Sequence, residues 1–234
     1  MKKIRGKKLI IWMTLTALLT ALMICVGAPL QAQAAVKINK TKKTMVIGNT
    51  YRLKISGTSK KVKWSSSNKK VATVSSKGLV TAKKTGTATI TAKVGSKKYK
   101  CKITVKTQQE VYRSTLISQI NKERRKYGYA SFDKNSLLHS AAQKRAKELA
   151  TKFSHTRPNG YKWTSAISMR YDFKRAAENI ARDFVTPDRV IDAWMAKSST
   201  KAKIVSKRYD EIGVGVYLSP DGYFYWCAIF AKEK

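Results

Sequence analysis

The chain has 234 residues and a formal net charge of +36, from 49 Lys and Arg against 13 Asp and Glu. That length makes one or two domains with a sizeable core. A hydrophobic content of 43% with 9% aromatics excludes a wholly disordered chain, and three cysteines exclude a disulfide-dense scaffold. The two histidines, His139 and His155, exclude any site built on three or more imidazoles.

Residues 1–8 carry Lys2, Lys3, Arg5, Lys7 and Lys8, and an apolar run follows from Leu9 to Val26. Small residues then lead to Ala32-Gln33-Ala34-Ala35. A basic start, an apolar stretch and a small-x-small step form a secretory signal peptide, with cleavage expected after Ala34. An uncleaved membrane anchor is the rival reading of so long an apolar run. Cys25 follows the bulky Ile24, which is not the small residue that lipid attachment needs. The mature chain is therefore expected outside the cell or on its surface. It keeps Cys101 and Cys227, either as one disulfide or as two thiols buried in strands.

The composition changes near Lys106. Residues 35–106 hold 20 Lys and Arg and no Asp or Glu; residues 107–234 hold 24 and 13. We expect a first domain over 35–106, a short polar linker over 107–110 and a second domain over 111–234.

The first domain reads as all-β. Thr87–Val94 and Tyr99–Val105 alternate at period two around Gly95-Ser96, which makes a hairpin. Shorter strands fit Tyr51–Ile55, Val62–Trp64, Val71–Val74 and Leu79–Ala82. Strands at this spacing argue for a β-sandwich with Trp64 as a core aromatic. The words Val62-Lys63-Trp64-Ser65-Ser66-Ser67-Asn68, Val71-Ala72-Thr73-Val74, Gly78-Leu79-Val80-Thr81-Ala82 and Gly86-Thr87-Ala88-Thr89-Ile90 resemble the bacterial immunoglobulin-like domain, group two. The resemblance implies a non-catalytic spacer or adhesion module.

The second domain starts with a helix over Val111–Lys126, closed by Tyr127-Gly128. Leu138, Ala142, Ala146, Leu149 and Ala150 mark the inner stripe of a second helix. Thr186-Pro187 caps a third, whose inner face is Val190, Ile191 and Trp194. Strands Ile212–Leu218 and Tyr223–Phe230 join through Ser219-Pro220-Asp221-Gly222. Helices followed by an antiparallel sheet make an α+β domain.

His155 stands past the end of the second helix, and Glu178 lies in Ala177-Glu178-Asn179-Ile180-Ala181. Brought together in a cleft, the imidazole would be base or metal ligand and the carboxylate its orienter or acid. A histidine after a helix can equally be a cap or a surface residue. With Val190–Met195, Glu211-Ile212-Gly213-Val214-Gly215 and Tyr225-Trp226, these blocks resemble the CAP superfamily of cysteine-rich secretory, antigen-five and pathogenesis-related proteins, in its secreted bacterial branch. The resemblance implies an α-β-α sandwich with a cleft of His and Glu residues able to bind a divalent metal. His155 and Glu178 match the first His and the Glu. Thr200 stands where the second His belongs, Lys197 where a second Glu is found in the eukaryotic branch, and Cys227-Ala228 where a polar pair is usual. One imidazole with one carboxylate would hold zinc weakly. No metal or other cofactor is therefore expected, and His155 and Glu178 read as the remnant of a site. His139 has nothing to place it in the cleft.

The charge suits an anionic cell-wall polymer or membrane surface, and no specific nucleic acid is expected. A solubilising lysine surface is the plainer reading. Tyr161, Trp163 and Tyr171 could line a groove or belong to the core. The leading expectation is a non-catalytic binding protein for an envelope or host ligand. The alternative is a metal-assisted extracellular hydrolase using His155 and Glu178. Lipid or sterol binding comes third, from the resemblance alone.

Overall fold

The computed structural model describes residues 34–234; the expected leader falls on residues 1–33, outside the described residues. Among the described residues no helix is long and apolar enough to cross a membrane.

The N-terminal region is all-β. Its strands are β1 (Lys37–Ile38), β2 (Lys42–Val46), β3 (Thr50–Arg52), β4 (Ile55–Ser56), β5 (Val62–Ser66), β6 (Ala72–Val74), β7 (Leu79–Ala82), β8 (Gly86–Val94) and β9 (Lys97–Lys106). One sheet has the order β2-β9-β8-β5 and a second has the order β3-β7-β6. Their inner residues, among them Leu53, Val80, Ile90, Cys101 and Ile103, form one core. Trp64 packs against that core half-buried rather than inside it.

Three local differences from the expectation have physical causes. Tyr51–Ile55 is not one strand. Leu53 turns inward to 1% exposure and its N–H donates to Gly78 O at 2.9 Å, so β3 joins β7 while β4 pairs with β1. Strands β1 and β2 add to the expected set, because Lys-rich segments hide their alternation; β2 runs parallel to β9. The polar joint is helical. Thr107 accepts the N–H of Glu110 and Glu110 reaches back to the Thr107 N–H at 2.7 Å, a capping box that starts α1 (Gln108–Lys126) three residues before Val111.

The C-terminal region continues with β10 (Asp133–Lys134), α2 (Ser136–Thr151), a short 3-10 turn (Trp163–Ala166), β11 (Phe173–Arg182), α3 (Pro187–Ala196), α4 (Ser198–Ile204), β12 (Glu211–Leu218) and β13 (Phe224–Glu233). The sheet order is β10-β12-β13-β11, parallel between β10 and β12 and antiparallel elsewhere. Strand β11 and helix α4 also add to the expected set.

Hydrophobic clusters lie on both faces of this sheet. On one face Trp226, Phe230, Val214 and Ile212 meet Leu116 and Ile120 of α1 and Trp194 of α3. On the other, Cys227, Ile229 and Ala231 meet Leu138, Ala142 and Leu149 of α2. Helix α2 seats directly on the strand backbone because Gly213 and Gly215 have no side chain. A Cβ at Gly215 would overlap the Ala142 carbonyl oxygen, and one at Gly213 would overlap the Leu138 carbonyl carbon. The inner stripe of α2 differs from the expectation in one place: Ala150 is exposed, and the buried position is taken by Arg145 at 0% exposure.

Candidate functional site

Glu178 enters the site from β11, on the face covered by α2. Its register opposite Ile229 and the pairing of Ile180 with Cys227 put the carboxylate beside the Cys227 thiol, whose Sγ lies 3.4 Å from Oε1. His155 comes from the segment after α2. Its Nδ1 sits 2.7 Å from Glu178 Oε2, so the two residues expected to meet do meet. The imidazole is 57% exposed while the carboxylate is fully buried.

A residue that the sequence reading missed holds this pair. Arg145 Nε donates to Glu178 Oε1 at 2.8 Å, its Nη1 to Glu148 Oε2 at 2.9 Å, and its Nη2 to Ser154 O at 2.6 Å. Glu148 also accepts from Arg157, whose Nη1 donates to Ser165 Oγ at 2.8 Å. Two arginines and two glutamates thus form a balanced network. Its arms reach the residues on both sides of His155 and fix the loop that carries it. Burial opposes charge on Arg145, yet the hydrogen bond and charge of Glu178 and the hydrogen bond to Glu148 raise its pKa above the ordinary value. For Glu148, burial favours the neutral acid, and Arg157 and Arg145 overcome it and hold the carboxyl below its ordinary value. Burial pushes the Cys227 thiol well up, and the Glu178 charge adds to the shift. Cys101 and Cys227 are both buried free thiols.

The anomaly that could have exposed Arg145 is its place in the stripe Leu138, Ala142, Arg145, Ala146, Leu149, where a charge is buried only if it is paired.

The positions of the second His and second Glu are built differently. Thr200 lies in the first turn of α4. Its Oγ1 donates to Trp194 O at 2.6 Å, with Lys197 O also within 3.0 Å, so the hydroxyl joins α3 to α4. Asn179 Nδ2 donates to Thr200 O at 3.1 Å and Trp194 Nε1 to Ile180 O at 3.2 Å, which dock both helices on β11. Lys203 Nζ donates to Glu178 O at 2.8 Å; burial lowers its pKa, while Glu178 supports the charged form. A groove of about 370 Å³ runs beside the end of β11, lined by Phe153, Ile180, Arg182, Trp194, Lys197 and Thr200. His155 and Glu178 do not line it.

These residues do not fit a divalent cation. Glu178 gives one oxygen to a guanidinium and the other to the imidazole, and Lys203 lies against its own backbone carbonyl. Among the described residues no group of three or more His, Cys, Asp or Glu side chains is placed to hold a metal.

The remaining expected residues lie apart from the pair. His139 Nδ1 donates to Val214 O at 2.8 Å and its Nε2 faces Arg113; burial holds its pKa below the ordinary histidine value. Tyr171 is buried and donates to Glu211, Trp163 is half-buried, and Tyr161 is 66% exposed.

Residues 117–230 match the model of CAP, the cysteine-rich secretory protein family, and residues 32–105 match that of the bacterial Ig-like domain, group 2. Over 107 residues the chain is 29% identical to the uncharacterized protein YkwD of Bacillus subtilis, covering 44% of this chain and 42% of that protein. The chain therefore spans less than half the length of that relative. Among solved structures it is similar to an outer surface protein from Borrelia burgdorferi, at 25% identity and a TM-score of 0.47, covering 52% of this chain and 92% of that one. It is also similar to an extracellular SCP-domain protein from Bacillus anthracis, at 17% identity and a TM-score of 0.48, covering 53% of this chain and 41% of that one. The chain thus carries a CAP domain of the cysteine-rich secretory protein family behind a bacterial Ig-like domain of group 2.

Proposed function

We propose that this chain is an exported bacterial surface protein that binds an anionic ligand of the envelope or a host and does not catalyse a reaction. The single observation that carries this reading is the commitment of Glu178. Its carboxylate is fully buried and both oxygens are bound to side chains that position the His155 loop. A carboxylate so committed serves structure. The Thr200 hydroxyl is likewise engaged with the Trp194 backbone carbonyl. The clusters on both faces of the C-terminal sheet support the α-β-α sandwich that the family implies. The excess of cations supplies the attraction to an anionic surface, which salt weakens. The experiment is retention of the protein on isolated cell walls over a salt gradient. We expect retention at low salt and release at high salt; passage without retention at low salt would contradict the reading.

A second reading, extracellular hydrolysis with His155 as general base, is favoured by one observation. The imidazole is 57% exposed and Glu178 orients its Nδ1, leaving Nε2 toward solvent. It expects His155→Ala to abolish a hydrolytic activity measured on ester and peptide substrates. Activity unchanged in that variant removes it.

A further inference from the structure

The outer face of the sheet β2-β9-β8-β5 carries cations directly opposite one another. Lys63 on β5 pairs with Lys93 on β8, which pairs with Lys98 on β9, making a row of three across three strands. Further along, Lys42 on β2 pairs with Lys102 on β9, and Lys100 stands between the two rows opposite Thr91. All six lysines are exposed. Among the described residues none of them makes an ion pair, and residues 35–106 contain no acid that could supply one.

Like charges opposite each other weaken a strand pair. Nothing inside the fold offsets these, so the face is complementary to an external anion. On β9 alone Lys98, Lys100 and Lys102 lie about 6–7 Å apart along one face. That is the order of the phosphate repeat in an extended phosphodiester chain with three carbons between phosphates. The intervening positions are Ser65, Thr89 and Thr91, with Thr44, Thr87 and Thr104 in the next row. Their hydroxyls can donate to phosphate oxygens. No aromatic or aliphatic side chain stands among them, so the face offers neither a stacking surface for bases nor an apolar wedge for a bilayer.

We infer that the outer face of this sheet is a docking surface for a linear phosphodiester polymer, gripped by the lysine rows Lys63–Lys93–Lys98 and Lys42–Lys102. The inference rests on the proposal that the chain binds anionic envelope ligands, and it assigns that binding to the Ig-like domain rather than to the CAP groove.

The test uses the full chain and poly(glycerol phosphate) as the probe, with affinity measured against salt. A face variant changes Lys63, Lys93, Lys98 and Lys102 to Gln. A control variant changes the exposed loop lysines Lys60, Lys69, Lys70 and Lys84 to Gln. A groove variant is Lys197→Gln. We expect the face variant to lose at least about 100-fold in affinity at low salt and to reduce the slope of log K against log salt by about three, with the control losing far less. Its melting temperature should be unchanged or raised, because repulsion has been removed. Equal losses in face and control variants would overturn the site while leaving the proposed function standing. A loss confined to Lys197→Gln would move the site to the groove and overturn the inference. Tighter binding to phosphatidylglycerol vesicles, or to oligothymidylate, would overturn the polymer in favour of a membrane or a nucleic acid. Failure of the unaltered chain to bind any of these anions would overturn the proposed function as well.

Discussion

The two domains treat positive charge in opposite ways. In the CAP domain, Arg145 and Arg157 are buried against Glu148 and Glu178, Arg124 is buried against backbone carbonyls, and all eight ion pairs among the described residues lie between Glu123 and Lys234. In the Ig-like domain, lysines stand opposite lysines in the open with no carboxylate in residues 35–106. Matched and buried charge fixes one conformation, so its removal should be costly. Unmatched and exposed charge acts at long range on a partner, so its removal should cost the fold nothing. The same side-chain chemistry therefore serves architecture in one region and recognition in the other.

The largest expected effect is on the matched side. Arg145→Ala leaves the buried Glu178 without its guanidinium partner and Ser154 O without its donor, and we expect a loss of about 3–5 kcal/mol in urea unfolding. A loss under about 1 kcal/mol would place the network outside the architecture. Next comes the helix seat. Gly215→Val would drive a side chain into the Ala142 carbonyl and should cost about 1–3 kcal/mol or more, seen as a lowered melting temperature.

The acid limb sharpens the comparison. The folded Glu148 carboxyl titrates below its unfolded value. Its stabilising contribution is then fully present above the ordinary glutamate value and is lost as pH falls through the folded one. Burial holds the folded His139 below its ordinary histidine value. The unfolded chain takes up the proton first, so stability from this residue is present above about pH 6.5 and is lost as pH falls through the folded value. We expect stability measured against pH to fall in two stages on acidification. His139→Gln should flatten the upper stage and Glu148→Gln the lower one.

Smaller effects close the series. His155→Ala strips the buried Glu178 Oε2 of its imidazole partner, but the ring is more than half exposed and water can take its place, so the cost should lie at the low end of about 1–3 kcal/mol. On the unmatched side Lys93→Thr should stabilise by about 0.2–1 kcal/mol, because it relieves repulsion from both Lys63 and Lys98. Destabilisation there would mean that the lysine row has a structural partner.

Much of the fold was legible because its signals are local. Period-two alternation marked β8 and β9, the stripe from Leu138 to Leu149 marked α2, and Thr186-Pro187 marked the start of α3. What was missed depends on distant partners. Strand β11 buries Glu178 on one face and Asn179 on the other, so no apolar alternation survives. The burial of Glu178 rests on Arg145, 33 residues away. Helix α4 is polar along most of its length. It is tied down by Thr200 at its start and by Arg124, which donates to Ile204 O at 2.6 Å. The pairing of His155 with Glu178 followed from the family wording, whereas the arginine that positions them was visible only as a charge in an apolar stripe.

The most direct single measurement is the salt concentration at which the protein leaves isolated cell walls rich in phosphate polymer. It would be taken for the unaltered chain, the four-lysine face variant and His155→Ala. We expect the face variant to elute at markedly lower salt and His155→Ala to elute with the unaltered chain. Early elution of His155→Ala, with the face variant unchanged, would place recognition at the His155–Glu178 pair and contradict the division of roles between the two domains.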